Sequence, residues 1–144
     1  MAISQTTCTS FKLQLLKAEH DFDVHTFKIA LYSSSASLGT DTTVYATANE
    51  ITNTSGTAYS AGGKQLTVTS TFPKTSGTTA IVDFDNISWT DASFTARGAL
   101  IYNSSASNKA VAVLDFGSDR VASDSTFEIQ FPVADATSAI IRIA

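Results

Sequence analysis

Apolar and polar side chains alternate along most of this chain, and a period of two predicts β-strands. The clearest run is His25 to Ser33, where Phe27, Ile29 and Leu31 fall on one face and Thr26, Lys28, Ala30 and Tyr32 on the other. Gln65 to Phe72 alternates with Leu66 and Val68 to one side. Thr79 to Trp89 carries Ile81, Val82, Phe84, Ile87 and Trp89, and its apolar phase slips at Asp85-Asn86, which predicts a bulge there. Thr126 to Val133 sets Phe127, Ile129 and Phe131 opposite Glu128 and Gln130 and is stopped by Pro132. Thr43 to Thr47 reads as a short strand and Ala139 to Ile143 as the last one. The centre of the pattern is Ala96 to Gly117, two apolar runs around the polar stretch Asn103 to Asn108. It predicts a hairpin. Both runs are apolar on both faces, so the hairpin is expected inside the sheet and not at its edge.

Helical spacing occurs once. Phe11, Leu15 and Ala18 recur on one side, with Leu16 beside them, which predicts a short helix from Phe11 to about Glu19, capped by Ser10. Before it, residues 1–9 are polar and unpatterned and predict an extended N-terminal arm. Glu50 to Gly63, with Gly56, Gly62 and Gly63 and little apolar content beyond Ile51 and Tyr59, predicts a long ordered loop of the kind that carries contacts. Short strands separated by turn residues favour an all-β fold over α/β. The expectation is an antiparallel β-sandwich, jelly-roll-like, of about seven or eight strands with one short N-terminal helix. Residues 10–144 would form that single domain.

Composition narrows the classes of partner. Among 144 residues the net charge is −4, and Lys12, Lys17, Lys28, Lys64, Lys74, Arg97, Lys109, Arg120 and Arg142 are dispersed singly. A nucleic-acid partner is not expected without a clustered basic face. Ser and Thr make up roughly a quarter of the chain, suiting exposed strand faces and turns. The single cysteine, Cys8, rules out an intramolecular disulfide framework and a thiolate metal cluster. No apolar run reaches the length of a membrane helix, and Met1 to Gln5 does not read as a secretory signal, so synthesis in a cytoplasm without membrane association is expected.

Candidate chemistry is sparse. In His20-Asp21-Phe22-Asp23-Val24-His25 the side chains of Asp21, Asp23 and His25 share a face if extended, which is where a metal or acid–base site would start. No second ligand group follows at a recognisable spacing, and a solvated turn with local Asx hydrogen bonds is the simpler expectation. Gly62-Gly63-Lys64-Gln65 resembles the end of a phosphate loop but lacks the earlier Gly and the magnesium-binding Ser or Thr. Asp115-Phe116-Gly117 stands without any other kinase element, and Asp115, Asp119 and Asp124 are too widely spaced for a calcium loop. Neither histidine accompanies a nucleophile elbow. Trp89 and Tyr102 would make a sugar-stacking platform only if both were exposed, and an alternating strand places a Trp more often in the core. No enzyme, metal or cofactor is therefore expected.

Several stretches resemble a family of small proteins encoded in the structural-gene regions of tailed bacteriophages and prophages. They are Phe27-Lys28-Ile29-Ala30-Leu31-Tyr32, Gly39 with Thr42-Thr43 and Tyr45, Tyr59 with Ala61-Gly62-Gly63, Ala96 to Asn103, Lys109 to Gly117, and Ala139-Ile140-Ile141-Arg142. The resemblance implies a virion protein, first of all a capsid decoration (cement) protein on the outer shell that clamps the major capsid protein. It also implies a cyclic homo-oligomer, with a trimer among the options. Expected contacts are the arm residues Ala2, Ile3, Ser4, Gln5 and Thr6, with Tyr59 and Lys64 from the loop. The alternative is a tail, fibre or baseplate component that binds a host receptor or glycan.

Overall fold

Two long strands carry the fold. A computed structural model describes residues 2–52, 58–68 and 73–144. The elements in chain order are β1 (Thr6–Thr7), α1 (Thr9–Leu16), β2 (Phe27–Tyr32), β3 (Lys64–Gln65), β4 (Lys74–Ser76), β5 (Thr79–Val82), β6 (Ile87–Asn103), β7 (Lys109–Ile129) and β8 (Ile141–Ile143). They form a five-stranded sheet in the order β1-β7-β6-β2-β3 and a three-stranded sheet in the order β4-β5-β8. Every strand pair is antiparallel. The fold is thus mostly β with one short helix, as the alternation predicts.

The hairpin β6–β7 is far longer than the apolar pattern shows. Ile87 pairs with Ile129 at one end and Asn103 with Lys109 at the other. The register slips between Trp89 and Ala92, Ala92 and Phe94, Ala96 and Gly98, and Ile101 and Tyr102. Each slip resets which face a residue occupies, so one continuous strand reads in sequence as several short ones. The phase slip at Asp85-Asn86 is a different thing from the bulge it predicted. β5 belongs to one sheet and β6 to the other, so residues 83–86 are the passage between sheets.

Only the turn-proximal half of the hairpin is interior. There β6 pairs with β2 from Gly98 to Asn103, and β1 covers β7 at Ala112 and Val113. Leu100, Ile101, Val111 and Val113 are fully buried, each contributing ~2 kcal/mol of burial free energy. Gly98 is required at this crossing. A Cβ there would lie 2.6 Å from the Leu114 carbonyl oxygen and 2.8 Å from Ile3 Cγ2. Beyond Asp115 the outer edge of β7 has no strand partner among the described residues, and Val121 is exposed.

Residues 2–8 are extended, but they are not a free arm. Ile3 is buried over Gly98 and bridges to Leu38 in parallel, Thr6 and Thr7 pair with β7, and Cys8 is fully enclosed. Lifting this segment would expose Ile3 and bare the edge of β7, which is why it lies down. The helix begins at Thr9, with Cys8 and not Ser10 at its N-cap and no side-chain cap. Ser10 Oγ is buried without a partner. Ala18, at φ 58°, turns the chain out of the helix. The expected strand at Thr43–Thr47 is reduced to a bridge between Val44 and Lys109. The expected strand at Gln65–Phe72 contributes β3 and a Val68–Phe84 bridge. Residues 69–72 of that strand and 53–57 of the expected loop lie outside the described residues.

One core spans both sheets: Val82 and Ile141 from the small sheet belong to the same buried cluster as Phe27, Leu31 and Leu100. Phe22 stacks on Phe27 at 4.3 Å between ring centroids, and Phe94 and Phe127 approach to 5.0 Å.

Candidate functional site

The loop before β3 is pinned from inside by a buried carboxylate. Glu50 Oε1 accepts hydrogen bonds from the Tyr59 hydroxyl at 2.6 Å and the Gly62 N–H at 2.7 Å, and Oε2 accepts from the Tyr45 hydroxyl at 2.7 Å. The Tyr59 hydroxyl also accepts from the Leu31 N–H at 3.0 Å, which ties the loop to β2. Tyr102 donates to the Gly62 carbonyl at 2.7 Å, and its ring stacks on Tyr45 at 4.6 Å. Burial first, then the Glu50 carboxylate, holds the phenols of Tyr59, Tyr45 and Tyr32 well above their ordinary range and raises Tyr102 to about 12. Gly63, at φ +76°, lets the chain run against β2: a Cβ there would sit 1.7 Å from the Ile29 carbonyl oxygen. Each oxygen of Glu50 is engaged by a group of the fold, so the carboxylate acts as an anchor and is not presented to a substrate.

A second polar cluster closes the other end of β2. Asn103 is fully buried, and its side-chain amide donates to Nδ1 of His20 at 3.0 Å and to Nδ1 of His25 at 2.9 Å. Its Oδ1 accepts from the Ser105 N–H at 3.0 Å. With its Nδ1 accepting, the His20 imidazole carries its proton on Nε2, which donates to Gln14 Oε1 at 2.8 Å. His20 is buried edge-on against Phe11, and burial, with Lys109 adding to it, lowers its pKa to about 4. The expected solvated turn is therefore correct for Asp21, whose Oδ1 accepts from the Asp23 N–H at 2.9 Å, and incorrect for His20. Among the described residues no three His, Cys, Asp or Glu side chains converge as metal ligands.

A groove of about 310 Å³ opens between α1 and β8. Phe11 and Ile141 are its buried residues, and Leu15, Leu16 and Ile143 line it nearer the solvent. Leu16 is 88% exposed and Leu13 and Ile143 are each 56% exposed. The helix is apolar on more than one side: Phe11 points inward while Leu13 and Leu16 point out.

The expected contact residues do not come together. Ala2, Ser4 and Gln5 are exposed and Thr6 is half-buried along the β1 edge, where Gln5 accepts from the Asp115 N–H at 3.2 Å. Lys64 lies at the opposite edge, over the ring of Trp89 at 5.5 Å and donating to the Ser88 carbonyl. Ile3 and Tyr59 are internal, so their side chains are not available to a partner. Trp89 and Tyr102 are core residues, which removes them as an exposed stacking platform.

No family model, curated protein or solved structure matches this chain. The site residues that sequence reading passed over are Glu50 and Asn103. Each is one polar residue whose partners are brought in from elsewhere in the chain. The nearest signal in the sequence is the number of tyrosines around Glu50, at positions 32, 45, 59 and 102.

Proposed function

We propose that this chain is a non-enzymatic structural protein of a tailed-phage virion, a capsid decoration protein that binds and stabilises the shell of major capsid protein. The family resemblance supplies the virion class. The observation that carries a binding role is the exposed apolar cluster at the α1–β8 groove. Leu15, Leu16 and Ile143 line the groove together on a surface otherwise rich in Ser, Thr and charge, and Leu16 and Ile143 are largely exposed. Scattered apolar side chains are ordinary, whereas a contiguous set beside a groove is the mark of an interaction site. The proposal takes the five- and three-stranded sheets as the two layers of a sandwich. It places the protein on the outer capsid surface as a homo-oligomer made in the host cytoplasm. Binding there stabilises the shell by mass action, since occupied lattice sites must be vacated before the shell opens.

The test is add-back. Purified protein is mixed with tail-free mature capsids that lack it, and bound copies are counted per particle. Saturation at a copy number matching the capsid lattice, with a raised temperature of shell disruption, is the expected result. Absence of binding to the shell, with signal only on tailed particles, would overturn the assignment and favour the tail, fibre or baseplate alternative.

A further inference from the structure

The free edges of the two sheets are not alike. In the five-stranded sheet the outermost strands β1 and β3 have two residues each, and the uncovered edge of β7 beyond Asp115 carries the exposed charged side chains of Asp119, Arg120 and Asp124. In the small sheet, β4 presents the exposed polar side chains of Lys74 and Thr75. β8 is different. It pairs with β5 on one side only, from Ile141 opposite Val82 to Ile143 opposite Ala80. On its other side no backbone hydrogen bond is formed among the described residues. The α1–β8 groove is lined by all three residues of β8 and by none of its partner β5, with Phe11 and Ile141 at its base.

Two cations border the same groove. Lys12 has no carboxylate partner among the described residues, and Arg142 donates to the Thr137 carbonyl without a carboxylate at its guanidinium. The other basic residue of α1's end, Lys17, lies 4.0 Å from the Glu19 carboxylate. An apolar channel, an unpaired strand edge and two uncompensated positive charges therefore coincide. Each feature asks for something different of an occupant: aliphatic side chains, an extended backbone, and carboxylates.

We propose that the α1–β8 groove receives an extended segment of a partner protein that adds as a strand to the free edge of β8, sets alternate aliphatic side chains against Leu15, Leu16 and Ile143, and places carboxylates on Lys12 and Arg142. β8 has three residues, so the backbone ladder is short and side-chain contacts carry most of the selectivity. This deepens the binding reading above and rests on it. It names the surface and the chemistry of the segment that the shell protein must present.

The probe is a short fluorescein-labelled peptide alternating Glu and Val, titrated against the full chain. Anisotropy reads affinity, and hydrogen exchange reads the amides of Ile141 to Ile143. The expected result is saturable binding, slowed exchange at β8, and about tenfold weaker binding when Lys replaces Glu in the peptide. Leu16→Glu, at a side chain exposed enough to leave folding unchanged, weakens binding of the Glu peptide at least as much. The double variant Lys12→Glu with Arg142→Glu inverts the preference and binds the Lys peptide better. Equal binding of both peptides, binding without protection of β8, or no saturable binding overturns the proposal. So does self-association of the chain that Leu16→Glu abolishes without any peptide binding, because the groove then belongs to a second copy. Add-back to capsids separates the two readings. Capsid binding that survives Leu16→Glu leaves the decoration role standing and removes the groove from it, while peptide binding without capsid binding does the reverse.

Discussion

Replacing His20 with a residue that does not titrate should flatten the acid side of the stability curve. His20 is 8% exposed, its Nδ1 accepts from Asn103, and Phe11 closes over its ring. A proton on Nδ1 would face the Asn103 amide donor and would carry a charge into the core beside Lys109. The fold therefore prefers the neutral ring, and the pKa falls from 6.5 to about 4. A base with a lowered folded pKa binds fewer protons folded than unfolded between those values. Its contribution is complete above pH 6.5 and is lost as the pH drops through 4. The difference corresponds to ~3 kcal/mol, a large share of a typical domain's 5–15 kcal/mol. Urea unfolding of the wild type and His20→Gln at intervals from pH 7.5 to 4 measures it. Gln retains an acceptor for Asn103, so the variant should fold, and the wild type should lose ~3 kcal/mol more than the variant across that window. Asp115, held low by the Gly117 N–H and Arg97, and Asp135, held low by the N–H and hydroxyl of Thr137, also favour the fold in their charged forms. Their losses lie toward the acid end and are common to both proteins. Parallel curves for the two proteins would refute the placement of a neutral His20 in the core.

Three further outcomes follow from the same geometry. Tyr59→Phe should cost about 3 kcal/mol in urea unfolding, because it leaves the buried Leu31 N–H unpaired and takes a donor from Glu50; a loss below about 1 kcal/mol would mean that the loop is not held by this hydroxyl. Asp83 is buried with Oδ2 unpartnered, and burial raises its pKa, so the folded state is penalised as the pH rises past its unfolded value. Asp83→Asn should accordingly raise the melting temperature at pH 7, with the gain shrinking toward pH 4; an unchanged or lower melting temperature at pH 7 would contradict that. Gly63→Ala should cost at least about 2 kcal/mol, since the new methyl meets the Ile29 carbonyl at a positive φ, and a near-neutral effect in thermal unfolding would show that β3 does not press on β2 there.

What the sequence determined by itself is the strand content, the antiparallel class and the apolar hairpin at its centre. These follow from local rules: alternation of side chains, β-branched and aromatic residues in the runs, and Asn, Ser and Gly between them. The faces of β2 and the polar turn from Asn103 to Asn108 were legible for that reason. Strand lengths were not, because four register slips in β6–β7 break the alternation without ending the strand. The passage from one sheet to the other at residues 83–86 looks the same in sequence as a bulge. The N-terminal segment reads only as an extended arm because Ile3 is its main apolar residue; the notch over Gly98 that receives it is made by β6 and β7. The candidate sites belong to the tertiary structure still more completely. Glu50 finds Tyr45, Tyr59 and Gly62, and Asn103 finds histidines 83 and 78 positions away. The α1–β8 groove joins the first helix to the last strand. Hydrogen bonds and grooves of that kind depend on which segments the core brings side by side, and the period of a sequence gives faces without giving neighbours.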